Sequence, residues 1–160
     1  MANSTFNGPI RSENGFKNIV KSSTTGAVTS TMTLETYTAT ITVANGATTG
    51  KESAVGIPSN FIPMGVTVAV TTASTNSVNL NDIGTDADTD GYVDGISAAL
   101  NTTGFKGFFG CNGVLGMSGF TTGASGLVGD EVELVVSGDP GSDTVIVLKF
   151  FGISSSSDAS

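Results

Sequence analysis

The sequence predicts an all-β protein, a β-sandwich or jelly-roll body with an extended N-terminal arm, and three observations predict it. Threonine and valine, whose branched Cβ favours a pleated surface, recur along the chain in alternating runs. The 22 glycines disfavour helices throughout. Short apolar segments are separated by Gly, Asn, Asp and Pro clusters, at the spacing of seven or eight strands joined by turns. At 160 residues the chain has the length of one domain with a core of its own.

The elements follow in order. Residues 1–28 read as the arm, because Gly8, Pro9, Asn14 and Gly15 interrupt any regular ladder while Phe6, Ile10 and Phe16 are too apolar to be left in water. Thr36 to Val43 is the clearest strand, with Tyr37, Ala39, Ile41 and Val43 on one face and four threonines on the other. Lys51 to Ile57 is a candidate second strand, and Pro58 to Pro63 a loop bounded by prolines. Gly65 to Thr72 alternates again, with Val66, Val68 and Val70 pointing one way. Shorter strands are expected at Val78 to Leu80 and Gly95 to Leu100, on either side of an acidic stretch from Asp82 to Asp94. Residues 104–120 hold six glycines and four phenylalanines, a composition suited to a bulged strand with close backbone packing. Glu131 to Val136 and Thr144 to Phe151 read as a hairpin around Gly138-Asp139-Pro140-Gly141-Ser142. The run VIVLKFF is apolar on both faces, as in a strand covered on both sides or used as a subunit contact. The body is therefore expected over 29–153, with a Ser-rich tail at 154–160.

Composition excludes several functions. The absence of histidine removes the commonest general base, the Ser-His and Cys-His pairs and the usual zinc and iron ligand sets, so no enzyme is expected. Without tryptophan and with two tyrosines, a sugar-stacking cleft is poorly provided. The net charge of −8 argues against tracking a nucleic-acid backbone. The first 20 residues lack the basic start and apolar run of a secretory signal, and no 18-residue apolar run exists, so a chain made in the cytoplasm with no membrane partner is expected. Single Cys111 supports neither an internal disulfide nor a cysteine metal site and reads as a small, partly buried thiol.

Two constellations remain. In DADTDGYVD, residues 86–94, Asp86, Asp88, Asp90 and Asp94 occupy the first, third, fifth and ninth positions of a calcium loop, with Gly91 at the turn. Position twelve is Ser97 rather than a bidentate glutamate, and the flanks are not helical, so the alternative is a polar loop whose aspartates cap turns. Calcium is the one cofactor the sequence raises. The other constellation is the arm. Arg11, Lys17 and Lys21 against Glu13 give the first 21 residues a charge of +2, and the remainder carries −10. Phe6, Pro9, Ile10, Arg11, Asn14, Gly15, Phe16 and Lys17 are the candidate binding residues, apolar anchors with a guanidinium to orient them on a neighbouring subunit or an acidic surface. The alternative is a first strand with a loose leader.

The opening MANSTFNGPIRSENGFK, the following STTGAVT, and VTVAVTTAS with the downstream GTDADTDGYVDGIS resemble small virion structural proteins of tailed bacteriophages, marine and cyanobacterial ones above all. Head decoration, or cement, proteins are the nearest functional group of this size. The resemblance implies a mostly β homotrimer on the outer capsid surface of the virion, bound to the major capsid protein and bridging adjacent capsid subunits. Two alternatives stand beside it: a receptor- or carbohydrate-binding module of a head or tail fibre, and a structural component of the tail or neck.

Overall fold

The computed structural model describes residues 17–21, 23–26, 28–52, 57–58, 61–111 and 131–156. These residues form nine strands and no helix: β1 (Lys17–Lys21), β2 (Val28–Val43), β3 (Thr49–Lys51), β4 (Phe61–Thr72), β5 (Asn79–Gly84), β6 (Ala98–Ala99), β7 (Gly104–Gly110), β8 (Glu133–Val136) and β9 (Thr144–Ser156). The strands pair from the outside of the chain inwards. β2 pairs with β9, β3 with β8, β4 with β7 and β5 with β6, all antiparallel. Lateral pairing of β9 with β4 and of β8 with β5 rolls this long double ribbon into two sheets, ordered β1-β2-β9-β4-β7 and β3-β8-β5-β6. Eight strands wound in this way make a jelly roll, the expected class, and β1 is added at one edge.

Each sheet turns its apolar phase inwards. Ala39, Ile41 and Val43 of β2, Val66, Val68 and Val70 of β4, and Ile146, Leu148 and Phe150 of β9 are buried, as the alternation predicted for the first two strands. They face Leu80 and Ile83 of β5 and Leu134 and Val136 of β8. Phe150 is among the largest fully buried side chains and sits beside two aromatics, with ring centroids 5.4 Å from Tyr92 and 6.4 Å from Tyr37.

Several expectations need correction. Glu133–Val136 and Thr144–Ser156 are not a hairpin, because β8 lies in the four-stranded sheet and β9 in the other. The loop between them is led across the end of the sandwich by its own side chains. Asp139 Oδ1 accepts from Gly46 N at 2.8 Å, and Asp143 Oδ1 accepts from Asn45 N at 2.9 Å. Gly141, at φ 72°, makes the turn that places its own N–H on Asp139 Oδ1. These amide bonds, Gly141 first and Gly46 second, hold the Asp139 carboxyl below its ordinary value. Lys17, grouped by sequence with the arm, begins a strand paired on β2. β9 likewise runs on to Ser156, where Ser154 to Ser156 find partners on β2. Pro63 lies inside β4 rather than closing a loop, at a shift of register where its missing N–H is tolerated. The strand expected from Gly95 to Leu100 is reduced to Ala98–Ala99.

Because Phe150 closes the core between the two sheets, Phe150→Ala is expected to lower unfolding stability by about 3–5 kcal/mol, as measured by denaturant titration. A loss below about 1 kcal/mol would mean that Tyr37 and Tyr92 collapse into the space.

Candidate functional site

The outer face of the five-stranded sheet is not the polar surface that a covered core requires on its far side. β2 presents its threonines there, but the neighbouring strands present apolar groups. Phe151 of β9 stands across from Thr36 of β2, and Leu34 stands across from Ile153. Thr67 of β4 stands between Lys149 of β9 and Phe108 of β7, and Ala69 between Val147 and Phe105. Phe105 and Leu34 are 68% and 73% exposed, and Phe108, Met64 and Phe151 are also exposed. Among residues 34–52, 57–58, 61–111 and 131–154 no other large hydrophobic is exposed to this degree.

The arrangement depends on Gly65. A Cβ at that position would run into the Phe108 ring. Without one, Phe108 reaches across β4 to Phe151 on β9, and the two ring centroids lie 5.2 Å apart. At roughly half exposure, three phenylalanines alone uncover on the order of 300 Å². That lies within the range of the largest apolar patch on a typical monomer, a patch that is often functional. Phe109, the next residue along β7, packs on the core from the inner side, and so does Cys111. Burial pushes the Cys111 thiol up to about 12, away from reactivity.

The other sheet is acidic. Asp82 lies in β5, Asp86, Asp88, Asp90 and Asp94 in the loop after it, and Glu131 and Glu133 at β8, against the single cation Lys51 of β3. The five-stranded sheet holds Lys17, Lys21, Lys106 and Lys149 against Glu35. The sandwich is therefore electrically polarised between its two sheets.

The aspartate loop folds tightly through its backbone. Thr85 N donates to Asp88 O at 2.8 Å, Gly91 N to the same oxygen at 3.1 Å, and Tyr92 N to Ile83 O at 2.9 Å. The four candidate calcium ligands do not come together. Asp86 turns to an ion pair with Lys51, and this partner holds its carboxyl below the ordinary value. Asp88 is raised, first by its hydrogen bond with Asp90 and then by burial and the Asp90 charge. Asp94 is exposed. Among the described residues no three acidic or cysteine side chains are gathered as a metal would need. Phe6, Pro9, Ile10, Arg11, Asn14, Gly15 and Phe16 lie outside the described residues, and Lys17 is placed as the first residue of β1.

Sequence reasoning missed Leu34 and Met64 on the apolar side. The signal for Leu34 was present: carrying the Thr36–Val43 alternation two residues back puts it in phase with the threonines, on the outer face. It also missed the buried carboxylates. Tyr37 Oη donates to both Glu52 oxygens at 2.9 Å, linking β2 to the residue after β3. Burial first, and then this bond, push the Tyr37 phenol up to about 12, so it stays a donor. Burial raises the Glu52 carboxyl, and the Tyr37 bond opposes that rise. Burial and the neighbouring Asp86 raise Glu133.

No protein-family model matches this chain, and no curated protein matches it. A solved structure, the Cyanophage Pam1 capsid asymmetric unit, contains a chain similar to this one at a TM-score of 0.48 and 17% sequence identity, over 74% of this chain and 84% of that chain. At that level the likeness is one of outline.

The raised Glu52 carboxyl fixes the sign of a pH effect. The folded state holds its proton above the unfolded value of 4.5, so stability falls as pH rises from that value through the higher folded one. Glu52→Gln, which still accepts from Tyr37, is expected to remove this part of the decline. Thermal melts from pH 4 to pH 8 compare the two proteins, and parallel curves would show that Glu52 does not titrate between the folded and unfolded states.

Proposed function

We propose that this chain is a structural protein of a phage virion, a capsid decoration or cement protein. It binds the outer surface of the head, bridges subunits of the major capsid protein, and has no catalytic activity. The observation that carries the reading is the apolar outer face of the five-stranded sheet. The inner face alone supplies the core, so the exposed rings of Phe105, Phe108 and Phe151 add nothing to it, and their burial becomes favourable only within an assembly. The resemblance of the opening MANSTFNGPIRSENGFK to small phage virion proteins supports the same class. Jelly rolls serve as viral shell domains and also as lectins, so the fold alone does not decide between these roles. Three of the carboxylates have structural partners, Asp86 in Lys51, Asp139 in backbone amides and Glu52 in Tyr37.

The working unit in this reading is a homotrimer. Three weak attachments held on one body raise one another's effective concentration, so a trimer grips the shell far more tightly than any one contact does. The arm supplies one of these contacts. In sequence it precedes β1, the edge strand of the sheet that carries the apolar face.

Light scattering after size exclusion is expected to give a trimer at about 10 µM, a concentration well above the dissociation constant of a stable interface. A monomer there would remove the multivalent mechanism. Deleting residues 2–16 spares β1 and is expected to leave the body folded. Losing Phe6 and Phe16, each worth roughly 1.5–3 kcal/mol when buried, then weakens cosedimentation with heads assembled without this chain by about a hundredfold or more. Unchanged binding would show that the arm takes no part.

A further inference from the structure

Lys149 stands within the apolar face and limits what can cover it. It is exposed, Phe151 lies two residues along its own strand, and Phe108 lies two strands away at the same level, across Thr67. Among the described residues no carboxylate pairs with it. If a second copy docked through its own equivalent face, two lysines would enter one apolar contact and neither would meet an acid. If a second copy docked through its four-stranded sheet, the phenylalanines would be pressed against the exposed Lys51–Asp86 ion pair and the exposed aspartates of the loop after β5, among them Asp90 and Asp94. The first buries two lysines with no acid and the second buries carboxylates in excess of lysine, so each leaves desolvated charge unpaired. A partner that is apolar and carries one acid meets neither objection.

From this charge pattern we infer that the outer face of the five-stranded sheet is a docking surface for a different protein, through an apolar patch on that partner which sets a single Asp or Glu carboxylate against Lys149. Phe105, Phe108 and Phe151 fill the partner's apolar ground, and the ammonium of Lys149 sets register and orientation, since a misplaced docking leaves both charges unpaired. The inference rests on the virion reading in one respect: the partner is then a protein of the shell. It makes the sheet face a shell contact, and leaves the contacts that join copies of this chain to other surfaces.

The test uses heads assembled without this chain and the full-length protein as wild type, as Phe105→Ser with Phe108→Ser, as Lys149→Glu and as Lys149→Arg. All these positions are exposed or part-exposed in the sheet, and circular dichroism and light scattering are expected to show wild-type fold and oligomeric state in each. Cosedimentation is expected to weaken about a hundredfold for the double serine variant and about tenfold or more for Lys149→Glu, with Lys149→Arg close to wild type. Zero-length carbodiimide coupling of the wild-type protein on heads is expected to join Lys149 to an acidic side chain of a shell protein. If heads bind wild type and both disruptive variants alike, this inference fails and the virion reading stands. Heads that do not bind wild type overturn both. Coupling of Lys149 to a carboxylate of its own chain or of another copy would make the face an internal or homotypic contact. Loss of the wild-type oligomer in the double serine variant would also make the face homotypic, and either result overturns the proposal.

Discussion

The pairing of β2 with β9, register by register from Thr31↔Ser156 to Val43↔Thr144, is the constraint on which the rest depends. It brings residues from near the two ends of the described chain together along thirteen positions. Once it is in place, β4 can join the free edge of β9, β7 can follow β4, and the second sheet can close over the first. Contacts of such sequence separation carry a large entropic cost before they return anything, so this order of assembly belongs to the slow end of folding. It also makes β9 the strand with most to satisfy, because it lies between β2 and β4 and contributes Ile146, Leu148 and Phe150 to the core.

The inner phase of β9 is explained by that position, but its outer phase is not. Val145, Val147 and Phe151 alternate with the buried residues and need no apolar character to complete the sandwich, as the threonines on the same face of β2 show. Gly65 belongs to the same design. Its missing side chain lets Phe108 and Phe151 meet over β4, so the patch is built across three strands rather than left by chance on one. An open hydrophobic sheet face promotes aggregation in an isolated protein, and the lysine within it is one device that discourages pairing with itself.

Charge separates the two sheets in the same direction. Carboxylates concentrate on the smaller sheet and its loops, where Lys51 bonds Asp86, while most cations lie on the larger sheet. A polarised sandwich has a preferred orientation as it approaches another charged surface.

By itself the sequence determined the class of fold and the inward faces of two strands. Thr36–Val43 and Gly65–Thr72 alternate so regularly that only a half-buried strand accommodates them, and the glycine content disfavoured helices. It also placed the acidic stretch and raised VIVLKFF as a contact surface. What it could not settle is partnership, because a strand's local pattern is indifferent to which strand lies beside it. Glu133–Val136 and Thr144–Ser156 read as a hairpin because the intervening Gly-Asp-Pro-Gly is a good turn, yet Asp139 and Asp143 bond to Gly46 and Asn45, more than ninety residues away in the chain. The aspartate spacing of residues 86–94 allowed a convergent ligand set, but Asp86 found Lys51, brought to it by the pairing of β3 with β8. Likewise no local signal joins Phe108 to Phe151 or sets Lys149 beside them. Those neighbours come from the order β9-β4-β7, and only the rolled tertiary structure decides that order, because it arises from burying two apolar sheet faces against each other at once.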